Sequence, residues 1–225
     1  MYTFFGETKT ELLSLVIYGV AYIMALFIAM PFHEFAHAWV AKKEGDYTAT
    51  ALKRCTLAPH AHIDPIGFLF LVFAGFGWAK PVPIDARNFK RGKLSKFLVA
   101  IAGIVMNLIL GTVFLFIYVL IIKIDANFYT SCLYGQLLKE FLNLSVVLNY
   151  ALAFFNLLPI YPLDGFRIVE TFSKYDNAFL AFMRRNSMFI FFIVLISSLF
   201  TIYIRYTAGV VIELLLKLFI TILGV

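Results

Sequence analysis

Between Leu12 and Ala41 the chain is apolar for about thirty residues, interrupted only by Pro31 and the ionisable cluster His33, Glu34 and His37. At about 1.5 Å per residue, a helix of that length spans roughly 45 Å, enough to cross a bilayer with tilt or a kink. Pro31 is a reason to expect a local bend. The rest of the chain is no easier to place in a soluble core. Of 225 residues, 62% are hydrophobic and 14% charged, against about 25% charged in a typical soluble domain. Lipid is therefore the expected solvent.

Four further apolar stretches follow, at about 97–122, 137–158, 188–204 and 207–224. The last carries Glu213 and Lys217, four apart on one helical face and able to pair, which weakens the case for its full immersion. Residues 44–65 are more polar. Residues 66–79 are apolar but short for a perpendicular span, and they contain Gly67, Gly75 and Gly77. The stretch 48–79 is expected to form strands or a re-entrant segment folded against the bundle, since irregular backbone at membrane depth needs protein or a water-filled cavity around it. The expected architecture is all-α and polytopic. It comprises one integral-membrane domain over 1–225 (core 12–170, C-terminal helices 188–224), about five to six transmembrane helices, and a small membrane-embedded strand or re-entrant segment between the first and middle helices. Glu7, Lys9 and Glu11 precede the first run, so it does not read as a cleavable signal.

The net charge of +6 fits a membrane topology signal better than a nucleic-acid partner, and none is expected. If 48–79 returns to the side it left, fourteen of the nineteen Lys and Arg residues share one side, including Lys42, Lys43 and six between 80 and 96. The positive-inside rule makes that side cytoplasmic, with the N-terminus outside, in a cell (inner) membrane. Cys55 and Cys132 fall at opposite ends of the membrane and match no metal spacing. The 26 Phe, 12 Tyr and 2 Trp residues serve packing and interface anchoring.

His33-Glu34-Phe35-Ala36-His37 is an H-E-x-x-H sequence on a predicted helix. Residues i and i+4 share a helical face, so both imidazoles can reach one zinc, and the Glu between them can take a proton from a water that the metal acidifies. On a soluble helix such a match is often accidental. Inside an apolar span ionisable groups are costly and usually face a functional interior. His37 lies five residues before Lys42, which puts the site within the membrane, nearer the cytoplasmic face. A third ligand is required, and His60, His62, Asp64 and Asp164 are the candidates. Asp164 follows the 137–158 helix in Asn156-Leu157-Leu158-Pro159-Ile160-Tyr161-Pro162-Leu163-Asp164-Gly165. Prolines break that helix, and Gly165 permits a tight turn that aims the carboxylate.

HEFAH followed by NLLPIYPLDG resembles the site-2 protease family of intramembrane zinc metalloproteases (peptidase family M50). LAPHAHIDPIG (57–67), GWAKPVP (77–83) and AGIVMN (102–107) resemble its short bacterial branch, which lacks a PDZ domain. The resemblance covers roughly residues 30–170. It implies one Zn²⁺ per chain on His33, His37 and Asp164, with Glu34 as general base. It also implies Asn156 as an oxyanion donor, although an Asn capping its own broken helix end reads equally well. Ile104 stands where the family usually has Pro, and Ala58 where Asn is common.

The implied activity is cleavage of peptide bonds in transmembrane protein substrates within the lipid bilayer. A substrate helix must partly unwind first, and an exposed strand edge would replace its lost backbone bonds. Residues 48–57 and Gly75–Pro83 are the candidates for that edge, with Pro81 and Pro83 keeping part of it unpaired. His62, Gly75, Gly77, Lys80, Pro81, Pro83, Asn107 and Arg167 are expected as accessory or substrate-binding residues. The competing readings are an ion- or proton-relay transporter using the same buried charges, and an inactive zinc-binding scaffold. Substrate identity and oligomeric state are not legible in the sequence.

Overall fold

The first apolar run folds as a single helix, α1 (Tyr2–Lys43), with Pro31 inside it and fully buried. The computed structural model describes residues 2–74, 77, 79–173 and 177–224. Ala21, Ala25 and Ala29, spaced four apart, are completely buried. Lipid tails are as apolar as Leu, so helices associate in a membrane where small side chains let backbones approach. Two long helices pack on α1: α4 (Lys93–Ile124) and α6 (Leu133–Asn156). Ala21 and Ala25 meet Leu144 of α6, while Leu115 of α4 packs with Val146 and Tyr150 of α6 and Ala208 of α10 (Ser198–Leu223).

Between these helices run shorter elements: α2 (Thr48–Ala51), α3 (Pro65–Ala74), α5 (Phe128–Ser131), α7 (Asp164–Phe172), α8 (Ala178–Arg185) and α9 (Ser187–Ile196). Among the described residues four helices, Glu11–Lys43 of α1, α4, α6 and α10, are long and apolar enough to cross a membrane, or five if the α8–α9 pair, bent by 75°, counts as one span. The expected 188–204 span is therefore split. The Ser197 side chain accepts a hydrogen bond from Phe200 N and starts α10 there. Phe155 of α6 packs against both Phe191 of α9 and Phe200 of α10, so α9 leads back to the end of the bundle where α10 begins.

Of the two readings of 48–79, the strand does not hold among the described residues. The Asp46 carboxylate accepts hydrogen bonds from Thr48 N at 3.0 Å and Thr48 Oγ1 at 2.5 Å, an Asx turn that leads into the short helix 48–51. The re-entrant reading does hold. Asp64 caps α3 through Gly67 N at 2.8 Å. The chain then returns to its own start, where His62 O accepts from Lys80 N at 2.8 Å and Ile63 bridges Ala79.

The basic end of the bundle is fastened by two buried carboxylates. Glu44, just past α1, accepts from Arg91 and from Ser95 Oγ at 2.6 Å, tying the end of α1 to the start of α4. Asp46 accepts from Asp85 N at 2.8 Å and Asn88 Nδ2 at 3.0 Å, holding the loop before α4 in place. The Arg91 and Ser95 donors lower the Glu44 pKa from 4.5 to about 2. A depressed carboxylate stabilises the fold fully above its unfolded pKa and ceases to do so as pH falls through the folded value. Thermal unfolding between pH 7 and pH 2 should therefore show wild type losing stability from about pH 4.5 downward. Glu44→Gln should melt lower at pH 7 and lose less over that window. Parallel pH profiles for the two proteins would remove Glu44 from the fastening.

Candidate metal centre

His33 and His37 lie one turn apart on α1, with ring centroids 4.7 Å apart and both side chains buried. Asp164, the first residue of α7, comes in from the far side. Its Oδ2 lies 3.0 Å from His37 Nε2 and 3.3 Å from His33 Nε2, and the two Nε2 atoms are 3.1 Å apart. Of the four candidates for third partner, the structure brings Asp164 to the pair. Asp64 caps α3, His60 is exposed in a short 3-10 turn, and His62 is buried elsewhere.

The hydrogen bonds behind the imidazoles fix which nitrogen carries the proton. His37 Nδ1 lies 2.7 Å from Val99 O. A backbone carbonyl only accepts, so Nδ1 holds a proton and Nε2 is the nitrogen that faces Asp164. His33 Nδ1 lies 2.5 Å from Asn107 Oδ1. The amide orientation follows from a chain ending on another carbonyl: Asn149 Nδ2 donates to Ser145 O at 2.8 Å, and Asn107 Nδ2 donates to Asn149 Oδ1 at 2.9 Å. Asn107 Oδ1 is left to accept from His33 Nδ1–H, so His33 Nε2 also faces inward. Asn107 and Asn149 are both fully buried. Two imidazole Nε2 atoms and a carboxylate oxygen thus converge on one point.

Backbone proximity makes room for this. A Cβ on Gly103 of α4 would collide with His33 Cε1 and His37 Nε2, so only glycine lets α4 pass this close to the pair. Helix α4 runs unbroken through Ile104, where the family usually has proline. On the other side, a Cβ on Gly165 would collide with Leu157 O and Leu158 O at the end of α6. The expected tight turn at Gly165 is instead a close helix-end contact that lets Asp164 start α7 beside the metal-facing groups.

His33, Glu34, His37, Asn156, Asp164 and Arg167 line a cavity of about 100 Å³, together with Pro81, Val82, Ile84 and Pro162. Glu34 is half-buried, and its Oε2 accepts from Val82 N at 2.8 Å. Asn156 Nδ2 donates to Leu152 O at 3.0 Å, one turn back, which uses one of its two amide protons. The cavity does not include His62, Gly77, Lys80 or Pro83, and Gly75 lies outside the described residues. The His62 Nε2–H donates to Thr56 O at 2.7 Å, and its backbone carbonyl anchors Lys80; His62 is thus a hinge of the re-entrant segment rather than a wall of the site. The 79–83 edge, expected to be partly unpaired, is held. Lys80 N and Val82 N are both engaged, and Arg54 donates to Lys80 O at 2.7 Å and Pro81 O at 3.3 Å.

Gly103, Asn149, Val82 and the Val99 carbonyl are the site residues that the sequence reading does not single out. Asn149 carried a usable signal, as an amide within an otherwise apolar span. Gly103 stands four residues before Asn107, on the same helical face.

The chain matches the profile of Peptidase family M50 over residues 121–199, a stretch that contains Asp164 but not the H-E-x-x-H sequence. It is 43% identical over 148 residues to the Bacillus subtilis protein titled "Putative zinc metalloprotease YwhC", covering 66% of this chain and 67% of that protein. No solved structure matches. With this identity over two thirds of the relative, and a bundle of membrane-length helices, the chain belongs to peptidase family M50, the site-2 protease family of membrane zinc metalloproteases.

Proposed function

We propose that this chain is an intramembrane zinc metalloendopeptidase that hydrolyses peptide bonds within or near the transmembrane segments of other proteins. One zinc is held by His33, His37 and Asp164. The observation that carries the reading is the convergence of two inward Nε2 atoms and Asp164 Oδ2 within 3.0–3.3 Å. Three ligand atoms at that range can hold one cation in common. Two nitrogens and an oxygen are donors that would suit zinc. Zinc supplies a Lewis acid that acidifies water and polarises a carbonyl.

The chain's own residues supply the rest. Glu34 is oriented by the Val82 N–H on Oε2, leaving Oε1 to accept a proton as water oxygen adds to the scissile carbonyl carbon. The same carboxyl then returns that proton to the amide nitrogen as the C–N bond breaks. Asn156 has one amide N–H remaining after its bond to Leu152 O, and donates it to the oxygen that gains charge. Asn107 and the Val99 carbonyl keep both imidazoles in the tautomer a metal requires. Pro81 and Val82 form the wall nearest the substrate. Strand addition along this edge proceeds by exchanging the Arg54 bonds that now hold Lys80 O and Pro81 O. The end of the bundle bearing Lys42, Lys43 and the 80–96 loop faces the cytoplasm of a cell membrane.

A proton-relay transporter fits less well, because it has no need of two imidazoles one helical turn apart with Glu34 between them. An inactive scaffold has no use for Glu34 beside the metal-facing pair.

In vesicles with single-span substrates, Glu34→Gln should keep zinc and lose about 10²–10⁴-fold in turnover. Asp164→Ala should lose zinc and activity together. Undiminished cleavage by Glu34→Gln would reject the mechanism. Gly103→Ala tests the fit of the site itself: the added methyl displaces both imidazoles and should weaken zinc binding about 10–100-fold, measured by competition with a chelator. Asn149→Ala, which frees Asn107 to rotate, should weaken it less. Wild-type zinc affinity in Gly103→Ala would show that the imidazoles are not arranged as described.

A further inference from the structure

Beside the small cavity lies a larger cleft of about 410 Å³, a size typical of ligand sites. The two share Val82, Ile84 and Arg167. Val99 lines the cleft, and its carbonyl holds His37, so the cleft reaches the back of the metal-facing pair. Its charge is one-sided. Lys93, Lys96 and Arg167 line it, are exposed, and have no ion pair or side-chain hydrogen bond among the described residues. The cleft's acidic residue, Glu170, is already paired with Arg184.

From this geometry we infer that the cleft seats the substrate residues flanking the scissile bond on the basic side of the membrane, and selects acidic side chains there. The identity of the occupant rests on the hydrolase reading above. A cavity of about 100 Å³ has room for little beyond the bond being cut. An unwound chain advances about 3.3–3.6 Å per residue, so the next few residues pass Arg167 into the cleft. There three cations without counter-charges attract Asp and Glu and repel Lys and Arg. The repulsion matters as much as the attraction, because ordinary membrane spans carry basic flanks on their cytoplasmic side. A basic cleft rejects that common background and retains the uncommon acidic flank. An anionic lipid headgroup offers the same charge, but the walls shared with the hydrolytic cavity favour a chain that occupies both.

Binding is the readout, so a failure to hydrolyse any substrate would count against the proposed function without deciding this point. Full-length Glu34→Gln protein in phosphatidylcholine nanodiscs is titrated with fluorescent single-span peptides. The peptides are identical except for three flank residues, either Asp/Glu or Lys. The acidic flank should bind about tenfold more tightly, and the difference should shrink with added salt. Lys93→Glu and Lys96→Glu, singly and together in the Glu34→Gln background, should reduce and then invert the preference. Both positions lie in the first turn of α4, where an acidic residue favours the helix, so the fold survives the change. Equal affinity for the two flanks would overturn the inference, as would a preference that persists through both charge reversals. Anionic lipid co-purifying with the protein, lost on charge reversal, with no preference between flanks, would assign the cleft to a headgroup instead.

Discussion

Two imidazole nitrogens and one carboxylate oxygen face one another inside a bundle of apolar helices, and most of what surrounds them serves to keep them there. Each imidazole is turned inward by a bond on its other nitrogen, to Val99 O for His37 and to the Asn107 amide for His33. Both restraints come from α4, so the position of α4 against α1 is the decisive packing relation. Gly103 permits that approach, and the fully buried Ala21, Ala25 and Ala29 line α1 with small side chains. The Glu44 fastening with Arg91 and Ser95 secures the same two helices at the basic end. The buried amides of Asn107 and Asn149 are satisfied in one chain that ends on the Ser145 carbonyl.

The re-entrant segment couples this rigid centre to whatever enters it. It leaves and returns through His62 and Lys80, and its far end places Val82 N on the Glu34 carboxylate. One peptide group therefore both orients the proposed base and forms the wall of the cavity. In the proposed mechanism, a shift of this wall would alter the hydrogen bond on Glu34 and so link substrate entry to the orientation of the base. The basic cleft continues from the same wall and from Arg167, giving the substrate chain a continuous path.

Much of this was legible in the sequence, for physical reasons. The spans of α1, α4 and α6 follow from apolar length. The i, i+4 histidines with Glu34 between them announce a metal because charge inside an apolar run demands a partner. Asp164 was one of four candidates by residue type and entered the expected ligand set through family resemblance. Gly103 was hidden because its contribution is an absent side chain, whose meaning depends on how α4 sits against α1. The helix at 48–51 was missed because threonines favour strands, whereas the Asp46 turn that leads into it is held by Asp85 N and Asn88, far along the chain. The break at Ser197 was missed because apolar composition continues across it, and only a side-chain cap marks the boundary. Pairing of the 79–83 edge depends on Arg54 and Glu34, residues 25 or more positions away, which no local pattern reports.

Zinc K-edge X-ray absorption on the purified protein tests the convergence most directly. Two imidazole nitrogens at about 2.0–2.1 Å with oxygen at about 2.0–2.2 Å, and no sulfur scatterer at about 2.3 Å, are the expected surroundings of the ion. A spectrum with sulfur, or with fewer than two imidazoles, would contradict a centre built from His33, His37 and Asp164.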